Sequence, residues 1–280
     1  MSRIPPLAVA AVAAAGAVAF PAVSEARPAD VDAHASKTTL LMSGSTSVYP
    51  LSRSLATAFV KKHPGVAKFT IAQGGSDTGI TDVAHGRVAI GASSREHQDG
   101  DPAGLYMYKI ARDGVCVVTN TDNPIANLSQ EQVQDIFSGK VRRWDDVQGA
   151  KVTGPIALIT RTQASGTQDA FRNIFMGLNL NVAGSAEQKA TNGLVQSSVR
   201  SNKNAIGYVD FRFTAGTYAV PYKGVGCTLR NAKSAQYPGI RNFWYVTRGA
   251  AKGVAKKFID FARSSSVQSS IVAKNYVTYK

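Results

Sequence analysis

The spacing of apolar positions in this chain changes period repeatedly, and each change marks an element. Residues 38–42 (TTLLM) form a short β-branched and aliphatic run that predicts a strand. A polar turn follows at 43–47, and then Leu51, Leu55, Ala58 and Phe59 recur at helical spacing until His63-Pro64-Gly65 stops them. Residues 68–72 predict a second strand, 80–85 a short helix and 88–92 a third strand. Strands that alternate with helices predict a parallel α/β sheet, because parallel neighbours need a crossover connection.

The second half repeats the pattern. Residues 106–120 are one long β-like stretch rich in Val, Ile and Tyr, ended by Asp122-Asn123-Pro124. Ser129 with Gln132 three residues on is a capping-box arrangement, and Val133, Ile136 and Phe137 give the following helix one apolar face before Gly139. Residues 156–160 predict a strand, and Phe171 and Phe175 mark the helix that begins at Gln168. Further strands fall at 205–209 and 243–246, and Val254, Phe258, Ile259, Phe261 and Ala262 define a last helix. A ligand held by turns from both halves would lie in a cleft between two lobes, a favoured place for pockets.

Four small, hydroxyl-rich turns follow apolar runs: 43–47, 74–79, 93–95 and 161–167. Together they describe a cage for a small oxyanion. Glycine lets backbone approach, hydroxyls and amide N–H groups donate, and arginine offers a planar charged fork. The candidate contacts are Ser45, Thr46, Ser47, Ser76, Asp77, Ser94, Arg95, Arg161, Ser165, Gly166 and Thr167. Each turn alone reads equally as an ordinary helix start. Asp77 has two readings. A carboxylate only accepts hydrogen bonds, so it could meet the proton of hydrogen phosphate and repel sulfate, or it could cap the helix near Thr78. Arg95 could touch the anion, or pair with Asp77 or Glu96.

Composition narrows these readings. The 280 residues, 44% hydrophobic, suffice for one large or two medium domains. Residues 1–26 read as a secretory signal, with Arg3, an Ala/Val run and small residues before Ala26, and 27–37 as a flexible leader. Retention as an anchor is the alternative, although Gly16 and Pro21 break a run short of the ~20 residues a span prefers. The net charge of +14 is scattered in pairs such as Lys61-Lys62, with no basic stripe, so nucleic acid is not an expected partner. No HExxH, GxSxG or P-loop pattern occurs, so no metal, cofactor or catalytic role is expected. Cys116 and Cys227 are either a disulfide, which export permits, or two buried thiols.

Several motifs fall in order: SGSTSVYP at 43–50, GGSDTGI at 74–80, IGASSR at 90–95, DNPIANL at 122–128, QVQDIFSG at 132–139 with Trp144, RTQASGT at 161–167 and NAIGYV at 204–209. From Thr38 to Tyr276 the chain resembles the periplasmic-type phosphate-binding proteins of ABC importers, within the type II substrate-binding protein superfamily. The resemblance implies a two-lobed α/β fold, each lobe a mostly parallel sheet flanked by helices. It implies one lobe at 38–115 with 243–280 returning to it, and a second at 116–242. It further implies inorganic phosphate as ligand, an ABC permease as partner, a monomeric carrier, and a periplasmic or secreted location without a lipid-anchor cysteine. The anion contacts it implies are the turn at 45–47, Ser76, Ser94, and Arg161 with Ser165, Gly166 and Thr167. Some relatives carry an acidic proton acceptor where Arg95 stands, which leaves Asp77 as its replacement. Sulfate, molybdate or tungstate, a polyanion-binding adhesion or matrix role, and phosphate-ester hydrolysis are the rival readings.

Overall fold

A computed structural model describes residues 38–177 and 179–280. The signal and leader segments expected at 1–26 and 27–37 lie outside them. In chain order the elements are β1 (Thr38–Gly44), α1 (Tyr49–Lys62), β2 (Ala67–Gln73), α2 (Ser76–Ala84), β3 (Ile90–Ser93), β4 (Leu105–Thr119) and α3 (Gln130–Phe137). They continue with β5 (Ala157–Arg161), α4 (Gly166–Phe171), β6 (Glu187–Lys189), α5 (Asn192–Ser201), β7 (Ala205–Asp210), β8 (Tyr218–Ala219), α6 (Leu229–Lys233), β9 (Ile240–Arg248), α7 (Gly253–Arg263) and α8 (Ser265–Ser270).

The strands pair in the order β2-β1-β3-β9-β4-β7-β5-β6, with β8 on β4. Two parallel trios, β2-β1-β3 and β7-β5-β6, stand at the flanks. The antiparallel strands β9 and β4 join them. β4 serves both halves: Leu105–Gly114 pairs with β9, and Val115–Thr119 pairs with β7. One apolar core packs β1, α1, β9 and α7 through Leu40, Leu55, Phe59, Phe243 and Phe258. The other packs α3, α4, α5 and β7 through Val133, Phe137, Phe171, Val195 and Tyr208. This is the two-lobed mixed α/β architecture that the alternating pattern predicts.

Local chemistry explains most boundaries. In α3, Gln132 N–H donates to Ser129 Oγ at 3.1 Å and Ser129 N–H donates to Gln132 Oε1 at 2.8 Å, so the box closes reciprocally. α2 starts at Ser76, four residues before the apolar period begins, because its first turn buries a serine and a glycine where periodicity looks for aliphatics. β9 likewise starts at Ile240, with Arg241 and Asn242 interrupting the run that announces a strand only from Phe243.

Cys116, on β4, is bridged to Cys227 with Cα atoms 5.6 Å apart, closing a sequence separation of 111 residues. Both cysteines lie in the second core. In the chain-entropy description a loop of this size contributes roughly 4 to 5 kcal/mol by restricting the unfolded chain. Replacing both cysteines by serine is therefore expected to lower the denaturant midpoint markedly, by up to about that stability. An unchanged midpoint in urea titration would refute the bridge's contribution.

Candidate anion-binding site

The ends of β1, β3 and β5 deliver the hydroxyl turns to one buried place. After β1, Ser45 N–H donates to the Ala92 carbonyl at 2.8 Å, which ties the turn to β3. Ser45 Oγ donates to Ser94 Oγ at 2.9 Å and accepts from the Ser47 and Val48 amides at the start of α1. Ser76, the first residue of α2, accepts from Ser94 N–H at 3.0 Å. From the other half, Ser165 Oγ accepts from the Thr167 amide at 3.1 Å and caps α4. Ser47 Oγ and Thr167 Oγ1 then meet at 3.1 Å, one from each half. Gly166 permits the approach: a Cβ there would fall onto Ser76 Oγ and within 2.7 Å of Ser94 Oγ.

Arg161 ends β5 and threads between the halves. Its Nε donates to the Lys189 carbonyl at 3.1 Å, and its Nη2 donates to the Ala190 carbonyl at 2.8 Å and to Thr46 Oγ1 at 3.2 Å. These carbonyls orient the fork without neutralising it. Burial, reinforced by the charge of Arg241, pulls the Arg161 pKa down to about 10.

Arg241 is the residue that the sequence reading misses. Its Nη1 donates to Thr167 Oγ1 at 2.8 Å and to Ser94 Oγ at 3.4 Å, and its Nη2 donates to Ser47 Oγ at 2.8 Å. It therefore touches three of the four turns. Asp113, its direct partner across β4 and β9, accepts from Nη2 at 3.1 Å. Asn192 is also new: its Nδ2 donates to Ser47 Oγ at 2.8 Å and to Asp210 Oδ2 at 3.0 Å. For Arg241 the available signal was a charge next to the apolar run of β9, since a buried charge needs a partner; Asn192, a neutral residue at the start of α5, gave none.

Asp77 and Arg95 pair with each other. Arg95 Nε donates to Asp77 Oδ1 at 2.7 Å, and its two Nη atoms grip Asp101 at 2.6 and 2.9 Å. Burial opposes the Arg95 charge, but these carboxylates outweigh it and raise its pKa. Asp101 is likewise favoured by burial toward the neutral form, yet the Arg95 bonds hold it below the usual carboxylate range. The fork is thus taken up by carboxylates, the pairing with Asp77 that was the alternative reading for Arg95, and Asp77 is 43% exposed. The pair forms the rim. There, Asp77 N–H donates to the Ala164 carbonyl at 3.2 Å and Gln98 Nε2 donates to Asp169 at 2.7 Å, each bond joining the halves. A polar cavity of about 420 Å³ opens beside this rim, lined by Asp77, Arg95, Gln98, Arg161 and Asp169.

Against known proteins, a family model described as a PBP superfamily domain matches residues 30–266. The chain is similar to the phosphate-binding protein PstS of Bacillus subtilis, 30% identical over 240 residues, which are 83% of this chain and 78% of the relative. Among solved structures, a substrate-binding protein with bound phosphate from Clostridium perfringens superposes with a TM-score of 0.81. It is 34% identical, over 87% of this chain and 100% of that one. An ABC-type phosphate transport receptor from Vibrio cholerae gives a TM-score of 0.69 at 28% identity, over 85% of this chain and 99% of that one.

The tight contact at Gly166 gives a test of closure. Gly166→Ala is expected to leave thermal stability nearly unchanged while keeping the two halves apart. Spin labels placed on α1 and α5 should report a longer distance in the variant than in the parent. Equal distances would show that the neighbouring serines make room for the methyl group.

Proposed function

We infer the function from one premise: the chain belongs to the PBP superfamily and, within it, to the PstS family of phosphate-binding proteins. It captures inorganic phosphate between two lobes outside the cytoplasm and hands it to an ABC importer. The lobes are 38–115 with 243–280, and 116–242. The observation that carries this reading is the buried convergence of Arg161 and Arg241 on hydroxyls drawn from three of the four turns, with Ser76 of the fourth bonded to Ser94.

Each group has a role suited to a tetrahedral anion. The two guanidinium groups supply charge and directed N–H donors. Ser45, Ser47, Ser76, Ser94 and Thr167 supply hydroxyls that donate or accept, so one of them can take the phosphate's own proton. Amides at the starts of α1 and α2 add the positive end of each helix. Thr46 and Asn192 hold Arg161 and Ser47 in place. None of these groups breaks a bond, and the anion leaves as it entered, so we read the chain as a carrier and not an enzyme. The carrier is monomeric, exported by the segment at 1–26, and needs no cofactor or nucleic acid.

Closure follows from the same contacts. Without ligand, bringing Arg161 and Arg241 together in a dry space is opposed by their like charge. A dianion between them reverses the sign of that interaction and shifts the population toward the closed form.

Titration calorimetry of the purified protein with phosphate and with sulfate tests the reading. Saturable phosphate binding is expected, and none at millimolar phosphate would sink it. Arg161→Ala is expected to weaken phosphate binding at least about 30-fold, the cost of removing one buried charged partner. Asp77→Asn should change the ratio of phosphate to sulfate affinity by less than about threefold, because that carboxylate is spent on Arg95. A collapse of selectivity in Asp77→Asn would restore the carboxylate to the cage.

A further inference from the structure

Beneath the cage lies a pair of acids that anion contact alone does not require. Asp113 on β4 and Asp210 at the end of β7 are fully buried. Their strands are neighbours, with Asp210 opposite Val115. Arg241 stands beside both, its Nη2 3.1 Å from Asp113 Oδ2 and 3.8 Å from Asp210 Oδ2. Among the described residues no other cation lies within ion-pair distance of either acid. Arg161 on β5 faces Asp210 at longer range, and Tyr276 near the C-terminus faces both acids.

The hydrogen bonds divide the two acids. Asp210 is well served: Oδ1 accepts from Arg212 N–H at 3.0 Å and Oδ2 from Asn192 Nδ2 at 3.0 Å. Among the described residues Asp113 Oδ1 has no hydrogen-bond partner, although it is buried. A bare buried carboxylate oxygen is costly, and two ionised acids beside one guanidinium repel each other. A proton on Asp113 Oδ1 relieves both penalties. Burial first, and then the charge of Asp210, push the Asp113 pKa up to about 8 against the pull of Arg241. Burial raises Asp210 as well.

We propose that Asp113 and Asp210 share one proton, and that the protein tightens its hold on this proton as it closes on phosphate. The inference rests on the phosphate-binding reading above. A bound anion adds negative charge to the same dry region and competes for the guanidinium of Arg241, and both effects favour the protonated pair. At neutral pH the shared proton leaves the two arginines with a net positive charge to offer the anion. The sign follows by linkage. The bound form holds more protons than the free form near the pair's titration, so affinity falls as pH rises through about 8.

The test is phosphate affinity between pH 6.5 and 9 by calorimetry, in the parent and in Asp113→Asn. The parent should lose affinity with a limiting slope of about tenfold per pH unit, one proton's worth. Asp113→Asn should lose that slope and keep only the part due to phosphate's own ionisation. Superimposable profiles would overturn the proposal, because a merely structural aspartate has no reason to carry the pH slope. If the variant does not fold, infrared difference spectra of the parent at pH 8.5 decide. A phosphate-induced gain in carboxylic-acid carbonyl absorption is expected, and its absence overturns the proposal. A parent that binds no phosphate at any pH would instead overturn the function itself.

Discussion

Two guanidinium groups are kept in a dry gap between two lobes, and much of the site is arranged around the cost of keeping them there. A buried charge loses its hydration and must find compensation in the protein or a ligand. Arg161 finds only carbonyls and hydroxyls, which orient it and leave its charge free. Arg241 finds Asp113. The difference gives the two arginines different work. Arg161 keeps a charge that no directly bonded carboxylate offsets, whereas Arg241 is partly neutralised by Asp113.

Strand register does the placing. Asp113 and Arg241 are opposite one another in the β4–β9 ladder, so their pairing is a consequence of backbone hydrogen bonding and needs no flexible loop. Asp210 opposes Val115, two residues along β4, where that strand leaves β9 and takes up β7. The acids therefore sit where one strand passes from the first core to the second. The hydroxyl turns are held less directly. Each follows a parallel strand end, and the amides of the next helix or the neighbouring strand fix its serine.

Much of this was legible in the sequence. Strand–turn–helix alternation located the first parallel trio and two strands of the second, missing the short polar β6, and the turns at 43–47, 74–79, 93–95 and 161–167 are the ones the fold brings together. What was hidden obeys another rule. α2 and α4 begin on small polar residues that are buried because they line the cage, and a search for aliphatic periodicity starts them too late. Arg241 was invisible because it breaks an apolar run, and a charge in such a run reads as a strand boundary and not as its interior. Asp77 was ambiguous for the opposite reason. Its chemistry suited the anion's proton, but sequence spacing could not show that Arg95 turns toward it.

The fate of Asp77 and Arg95 also bears on selectivity. Where a free carboxylate faces an anion, a ligand without a proton is repelled and discrimination is electrostatic. Here four of the carboxylates near the cage are committed to cations, Asp77 and Asp101 to Arg95 and Asp113 and Asp210 to Arg241, and Asp169 accepts from Gln98 and Asn173. The groups left to read the anion are hydroxyls, which donate to one ligand and accept from another. A serine ring can distinguish a protonated from an unprotonated oxygen only if its other hydrogen bonds fix which way each hydroxyl points. Ser45 supplies such a constraint, since its oxygen accepts two backbone amides and its proton goes to Ser94. Ser94 must then direct its own proton elsewhere, toward Ser76 or the anion. The direction of this hydroxyl chain is thus set at Ser45 by the backbone.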